Sequence, residues 1–418
     1  MKAEIKQLIN QLNNGEVPSG YEKMEIGTFP IGWKITTLDK LLDFKNGVNA
    51  DKEKYNSGVK MISVMDILTD TPILYDSIKG QVDIDEKTLD IYSVTYGDIL
   101  FQRSSETVED AGKSNVYLDP DKTATYSGFV IRGKKKGEYN PYFLNEVLRI
   151  GQVRSQIMRS AAGSQHINVG QDSLAKIIVP IASSDEQSKI AEILMKCDEA
   201  IELQGKLLDN LKIKKEAVLQ RLIKRDDSWL KISLKDILRE RTEFATKDDG
   251  YPHVTLSKSG VSKKTEQYNR DFLVKSEDKK YKVTRYNDIC YNPANLKFGV
   301  ICINKLSDES IFSPIYITYE VAPKYNVDFI GAILCSTDFI RYIRKYEEGT
   351  VYERQAVKSS DFLRGEIWVP STKGEQDKIA SIIKKIDDYI EIEQQKYEAL
   401  CTQRKALQQY LLNGIVRV

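Results

Sequence analysis

The side chains best suited to chemistry are few in this chain and far apart. With only two histidines, His166 and His253, neither a Ser-His-Asp arrangement nor a multi-histidine metal centre has enough material. Five cysteines (Cys197, Cys290, Cys302, Cys335 and Cys401) are scattered, odd in number and without Cys-x-x-Cys spacing, so reduced thiols are expected and a bound metal is not. Gly112-Lys113-Ser114 has the ending of a phosphate-binding loop, but Thr107 stands where the first glycine is required. Asn140-Pro141-Tyr142-Phe143 approaches the Asn-Pro-Pro-Tyr/Phe element of amino-methyltransferases. Its third residue differs, and no Gly-x-Gly segment following a strand precedes it to hold a cofactor, so it reads as a helix start. On these residues an enzyme is disfavoured, not excluded.

What remains is a set of polar, planar side chains in loop-like stretches. They are Gln102, Arg103 and Lys113; Gln165, His166 and Asn168; Asn292 and Lys297; and Tyr352, Arg354 and Gln355. Arginine matches the guanine edge and Asn or Gln the adenine edge, so these are the candidates for contact with double-stranded DNA. For each, the competing reading is an exposed loop side chain with no ligand. Lys134-Lys135-Lys136 before Gly137 is a solvated turn or a phosphate contact. Bulk charge gives no help: 62 Lys and Arg against 61 Asp and Glu leave a net charge of +1, so any affinity for DNA must come from local patches.

These loops need a scaffold, and 418 residues provide for two to four domains. A composition 41% hydrophobic argues against disorder. No run of 18 apolar residues is present, and the charged, alternating first residues do not resemble a signal peptide, so no membrane contact and a cytoplasmic location are expected.

The chain repeats itself. Glu186-Gln187-Ser188-Lys189-Ile190-Ala191 recurs 189 residues later as Glu375-Gln376-Asp377-Lys378-Ile379-Ala380, and at the same offset Asp198 matches Asp387, Ile201 matches Ile390 and Leu211 matches Leu400. Upstream, Trp33 parallels Trp229 and Asp98-Ile99 parallels Asp288-Ile289. Ser183 with Glu186, and Thr372 with Glu375, have the capping-box spacing of a helix start. The globular stretches are rich in Tyr, Ile, Val and Thr broken by Gly, Asn and Asp, which predicts mixed α/β units of short strands, with a helical stretch from Pro141 to Met158.

The two repeated helices carry heptad seams, Ile190 to Leu222 and Ile379 to Leu411, each with eight of ten positions apolar. At 1.5 Å per residue such a rod is roughly 50 Å long. Parallel pairing in the register of the repeat would set Lys215 against Arg404. Antiparallel pairing with contacting residue numbers summing to 608 sets Lys215 against Glu393 and Gln204 against Arg404, resolving both polar breaks. Two like modules separated on the scale of the ~34 Å B-DNA turn could touch successive major-groove segments. From the helices alone, a coiled-coil scaffold that never touches DNA is the alternative.

As a whole the pattern resembles the specificity subunit of Type I restriction–modification systems. The features that carry it are Gly32-Trp33, Gly97-Asp98-Ile99-Leu100-Phe101 with Arg103, Gly112-Lys113-Ser114, Ser127-Gly128-Phe129 with Arg132, and the Pro then Glu-Gln-x-x-Ile-Ala start of each helix. The second unit departs from it, with Asp288-Ile289-Cys290-Tyr291-Asn292-Pro293 and no Gly-Lys-Ser. The resemblance implies an α/β fold of two target-recognition domains separated by two long helices in an antiparallel coiled coil with pseudo-two-fold symmetry. It implies an N-terminal helix and linker at 1–23, recognition domains at 24–182 and 226–371, a conserved helix at 183–225, and a second with the tail at 372–418. It further implies a subunit that is not itself catalytic and holds no cofactor, two methyltransferase subunits as partners that use S-adenosylmethionine on adenine, and restriction subunits that use ATP and Mg.

Overall fold

The computed structural model describes residues 3–163, 166–224, 227–246, 249–258, 260–263, 280–306, 308–348 and 355–418. The chain forms two compact units, one from residues 1–204 and 397–418, the other from 205–396. Each therefore takes in one globular stretch and half of each long helix.

In the first unit the central element is a four-stranded antiparallel sheet in the order Leu42–Asn46, Val130–Lys135, Ile99–Gln102, Ser114–Val116. Ile99, Leu100 and Phe101 are consecutive and fully buried, so this strand is covered on both faces and reads as a continuous apolar run. Lys34–Thr37 pairs antiparallel with Ile178–Ile181, closing the stretch next to the first long helix, Ser184–Leu222. The expected helix from Pro141 to Met158 is two helices, Pro141–Val147 and Gly151–Ser160. Ile150 between them is extended (φ −71°, ψ 150°) and buried, and that conformation breaks the helix while keeping its side chain in the core.

The second unit repeats the plan with different residues. Its four-stranded antiparallel sheet runs Leu238–Glu240, Ile317–Val321, Ile289–Tyr291, Ile301–Ile303, the same spatial order. Leu230–Ser233 pairs with Glu366–Val369, next to the second long helix, Lys373–Leu412. The helices that follow the sheets begin alike: Asn140 Oδ1 accepts from the Phe143 amide at 3.1 Å, and Asn326 Oδ1 from the Phe329 amide at 2.8 Å.

All twenty expected seam positions of the long helices are buried or half-buried. In the first unit Ile190 and Leu194, at the start of one helix, share a core with Leu411 and Leu412 at the end of the other. In the second, Leu222 and Ile223 pack with Ile379 and Ala380. The halves thus run antiparallel within each unit, as expected. The register differs from the expected one. Arg404 bonds Asp198 at 2.8 and 3.1 Å, and Lys215 lies 2.5 Å from Asp387, so the paired numbers sum to 602 rather than 608. The cause is reach: a long basic side chain in the seam bends to a carboxylate flanking the partner's seam. Glu393, expected opposite Lys215, is buried and lies 2.7 Å from Lys396 one turn along its own helix. Gln204 lies half-buried in the seam, and Arg404 takes acidic partners in place of it. No helix among the described residues is long and apolar enough to cross a membrane.

Candidate nucleic-acid interface

The repeated Glu-Gln pair is a fixing device at the foot of each long helix. Trp33 Nε1 donates to Glu186 Oε2 at 2.9 Å, and Trp229 Nε1 donates to Glu375 Oε1 at 3.1 Å. Gln187 accepts from the Asn140 amide at 2.9 Å and donates to the Ala182 carbonyl at 2.9 Å. Gln376 does the same with the Asn326 amide (2.9 Å) and the Pro370 carbonyl (3.2 Å). Each Gln so ties the helix it begins to the capped helix of its globular stretch. The expected capping box is only half formed at Ser183: its Oγ accepts from the Glu186 amide at 3.3 Å. The Glu186 carboxylate turns instead to Trp33 and to Arg417, whose Nε lies 2.6 Å away. A buried carboxylate gains more from an indole N–H and a guanidinium than from one exposed amide.

With the helix feet fixed, the loops at the end of the buried strand Ile99–Gln102 are brought together. Gln102 N donates to the Lys113 carbonyl (2.8 Å) and Gly112 N to the Gln102 carbonyl (3.1 Å), joining the Gly-Lys-Ser segment to the strand end. Gly112 is left-handed (φ +63°), and an added Cβ would lie 2.5 Å from Ile157, so only glycine fits. This segment is a turn into the strand Ser114–Val116. Arg103 N donates to the Phe129 carbonyl (2.9 Å), Val169 N to the Arg103 carbonyl (3.0 Å), and Ser104 Oγ lies 2.5 Å from Asn168 Oδ1. Four chain segments from distant parts of the sequence meet here.

Of the expected readers, Arg103, Lys113, His166 and Asn168 lie on this cluster. Arg103 is half-buried, with Nη1 3.3 Å from the Gly128 carbonyl; Lys113 is exposed and paired with Asp110 at 2.6 Å; His166 and Asn168 are exposed. Gln102 is otherwise placed: it is 6% exposed and its Nε2 donates to the Ser104 carbonyl, so it serves the loop's own backbone. In the second unit Asn292 is likewise buried, its Oδ1 accepting from the Ala294 amide at 3.1 Å, an Asx turn. Lys297 is half-buried with its Nζ 5.3 Å from the Phe298 ring, and Gln355 is half-buried beside the bridge of Ala356 to Glu348. Gln165, Tyr352 and Arg354 lie outside the described residues. No cluster of potential metal ligands occurs among the described residues.

Residues that the sequence reading passed over hold the site's frame. Asp98 accepts from the Thr95 and Lys135 amides at 3.0 and 2.9 Å, while burial pushes its carboxyl pKa up. Asp288, at the matching place, accepts from the Arg285 amide (2.7 Å) and takes a two-point bond from Arg241 at 2.8 and 2.9 Å. The shared Asp-Ile pair was the available signal for both.

Two mixed sheets share one design, and in the first unit the sheet ends in a loop cluster with the exposed polar side chains of Lys113, His166 and Asn168; known proteins resemble this chain as follows. Residues 30–212 match the family described as the Type I restriction modification DNA specificity domain. A Methanocaldococcus jannaschii protein named as a type I restriction enzyme MjaX specificity subunit is 24% identical over 440 residues, 95% of this chain and 97% of its own length. The S subunit of a Type-I restriction-modification system from M. genitalium has the same fold, with a TM-score of 0.53 at 15% identity, over 91% of this chain and 96% of that one. So does a chain from a study of complex assembly and conformational transition of the type I R-M system, with a TM-score of 0.55 at 12% identity over 93% and 99%. Over nearly its whole length the chain is thus similar to Type I restriction–modification specificity subunits, with the DNA specificity domain matched at residues 30–212.

Proposed function

We propose that this chain is the DNA-recognition subunit of a Type I restriction–modification assembly, each unit reading one block of a bipartite target. The observation that carries this is the duplication in atomic detail: equal strand order, equal Trp-to-Glu and Asn-to-Gln fixings, and different residues at the loop ends. Equal frames with unequal loops suit two blocks of different sequence. The recognition domains correspond to 24–182 and 226–371, and the helical segments 183–225 and 372–418 act as spacer and as docking sites for two methyltransferase subunits, for which a repeated surface suits two identical partners. Those subunits carry S-adenosylmethionine and methylate adenine; restriction subunits, with ATP and Mg, complete the assembly in the cytoplasm. Arg103, Lys113, His166 and Asn168 in one unit, and Lys297, Tyr352, Arg354 and Gln355 in the other, are the polar contacts to DNA. A scaffold without DNA contact is disfavoured by the DNA specificity family match over 30–212.

Sequencing methylated genomic DNA with and without the gene tests the reading. A bipartite adenine-methylation motif that disappears on deletion is expected; an unchanged methylation pattern refutes it.

A further inference from the structure

A single apolar side chain on a protein surface needs no explanation. Two at the equivalent place in two repeats, beside the loops that carry the candidate readers, do. In the first unit the strand facing Phe101 at Ile131 is preceded by a tight turn in which Val130 N donates to the Ser127 carbonyl at 2.9 Å. At the tip of that turn Phe129 is 66% exposed. In the second unit the strand facing Tyr291 at Ile317 is preceded by the turn in which Tyr316 N donates to the Ser313 carbonyl at 3.1 Å, and its tip, Ile315, is 60% exposed. The sequences Ser-Gly-Phe-Val and Ser-Pro-Ile-Tyr share their first residue and the apolar character of the third, and little else.

Both tips are held stiffly. Behind Phe129, Gly128 packs closely against the Asn49 side chain, whose Oδ1 would have to move for a Cβ there, and Arg103 binds the carbonyls of both Phe129 and Gly128. Behind Ile315, Pro314 fixes the backbone and Tyr316 packs edge-on against Phe312 with ring centroids 4.9 Å apart. Neither tip side chain belongs to a core cluster among the described residues. A rigid turn that presents hydrocarbon at its tip is made to touch something apolar. In a DNA duplex the sugar–phosphate strands offer only small patches of deoxyribose C–H between charged phosphates. The apolar surface lies on the bases, as the thymine methyl group or as the face of a base at an opened step.

Resting on the recognition reading above, we propose that Phe129 and Ile315 are base-contacting, specificity-determining tips, one for each block of the target. The test uses the full chain assembled with its methyltransferase subunits. Phe129→Ala is expected to weaken binding to the target about tenfold and to relax the methylation motif at one position of one block. Ile315→Ala does the same in the other block. Binding to unrelated DNA and thermal melting stay as in the unaltered assembly, and Phe129→Leu keeps most of the affinity. Uracil in place of thymine in the affected block, or 2-aminopurine at the affected step, then supports the proposal if either signal is present with Phe129 and lost in Phe129→Ala. Tyr96→Ala, an exposed aromatic of the same unit, leaves the motif unchanged. An unaltered motif and affinity in both tip variants overturns the proposal, whereas an unaltered assembly without any sequence preference overturns the recognition reading beneath it.

Discussion

The two units solve one electrostatic problem in two ways. At the matching place on the long helices, the first unit has Arg404 with Asp198 and the second has Lys215 with Asp387. Arg404 is 11% exposed and also reaches Glu146 at 2.8 Å and the Tyr142 hydroxyl at 3.1 Å, while Gln408 adds a bond to Glu146 at 2.8 Å. Burial works against the Arg404 charge, and the bonds to Asp198 and Glu146 more than offset it. In the second unit Ala332 replaces Glu146, Asp328 replaces Tyr142 and Leu219 replaces Gln408. What is left is a lone Lys215–Asp387 pair, 34% and 47% exposed, at the side of a cavity of about 510 Å³ lined by Asp328, Ala332 and Cys335 as well. The planar, five-donor guanidinium can organise three partners at once, and the ammonium group satisfies one carboxylate and water. A duplicated frame therefore does not dictate a duplicated interior: once Glu146 is absent, no pressure remains for Arg over Lys.

This contrast predicts unequal responses, with three tryptophans (Trp33 in one unit, Trp229 and Trp368 in the other) available as reporters of denaturant unfolding. Arg404→Ala removes the closer of the two cations of the Glu146 carboxylate, 1% exposed, leaving Arg149 at 3.3 Å, and is expected to cost about 3–5 kcal/mol in the first unit. A loss below 1 kcal/mol would show that Glu146 is compensated otherwise. Ala332→Glu alone should destabilise the second unit, and Lys215→Arg added to it should recover about 1–3 kcal/mol through the rebuilt pair; a coupling near zero in the double-mutant cycle breaks the equivalence of the two places. Gln187→Ala and Gln376→Ala should each cost about 1–3 kcal/mol, because each strips a bond from a capped-helix amide, and the two costs should agree closely. A large difference would mean that the fixings, too, have diverged. Lys215→Ala is expected to cost under about 1 kcal/mol, since its pair is open to water and weakened by salt.

Much of this organisation was legible in the residues. The repeat follows from matched residues, the seams from a stripe of Ile and Leu at intervals of three and four that must be buried, and the antiparallel direction from the polar breaks, since parallel pairing would set Lys215 against Arg404. The register was not, since the reasoning allowed seam residues to pair only with seam residues; Asp198 and Asp387, themselves matched by the repeat, stand one position beside the seam. Gln102 and Asn292 were expected as readers on residue type alone, but each sits where a buried strand ends, and there a side-chain amide is worth more to the loop backbone than to a ligand. The tips Phe129 and Ile315 escaped for the opposite reason: a search for hydrogen-bonding side chains passes over hydrocarbon. The common strand order of the two sheets arises from pairings distant in the chain, which no local pattern reveals.

Residues 397–418 belong to the first unit, where Leu411 and Leu412 share a core with Phe29 and Trp33. On the ribosome, about 190 residues separate the two contributions to that core, some 10–40 s of elongation at ~5–20 residues per second. The half that emerges first must wait for its last helix and finishes second, while the half encoded later closes before it. Translation cut short directly after residue 396 would then spare the later-encoded unit and cripple the earlier one.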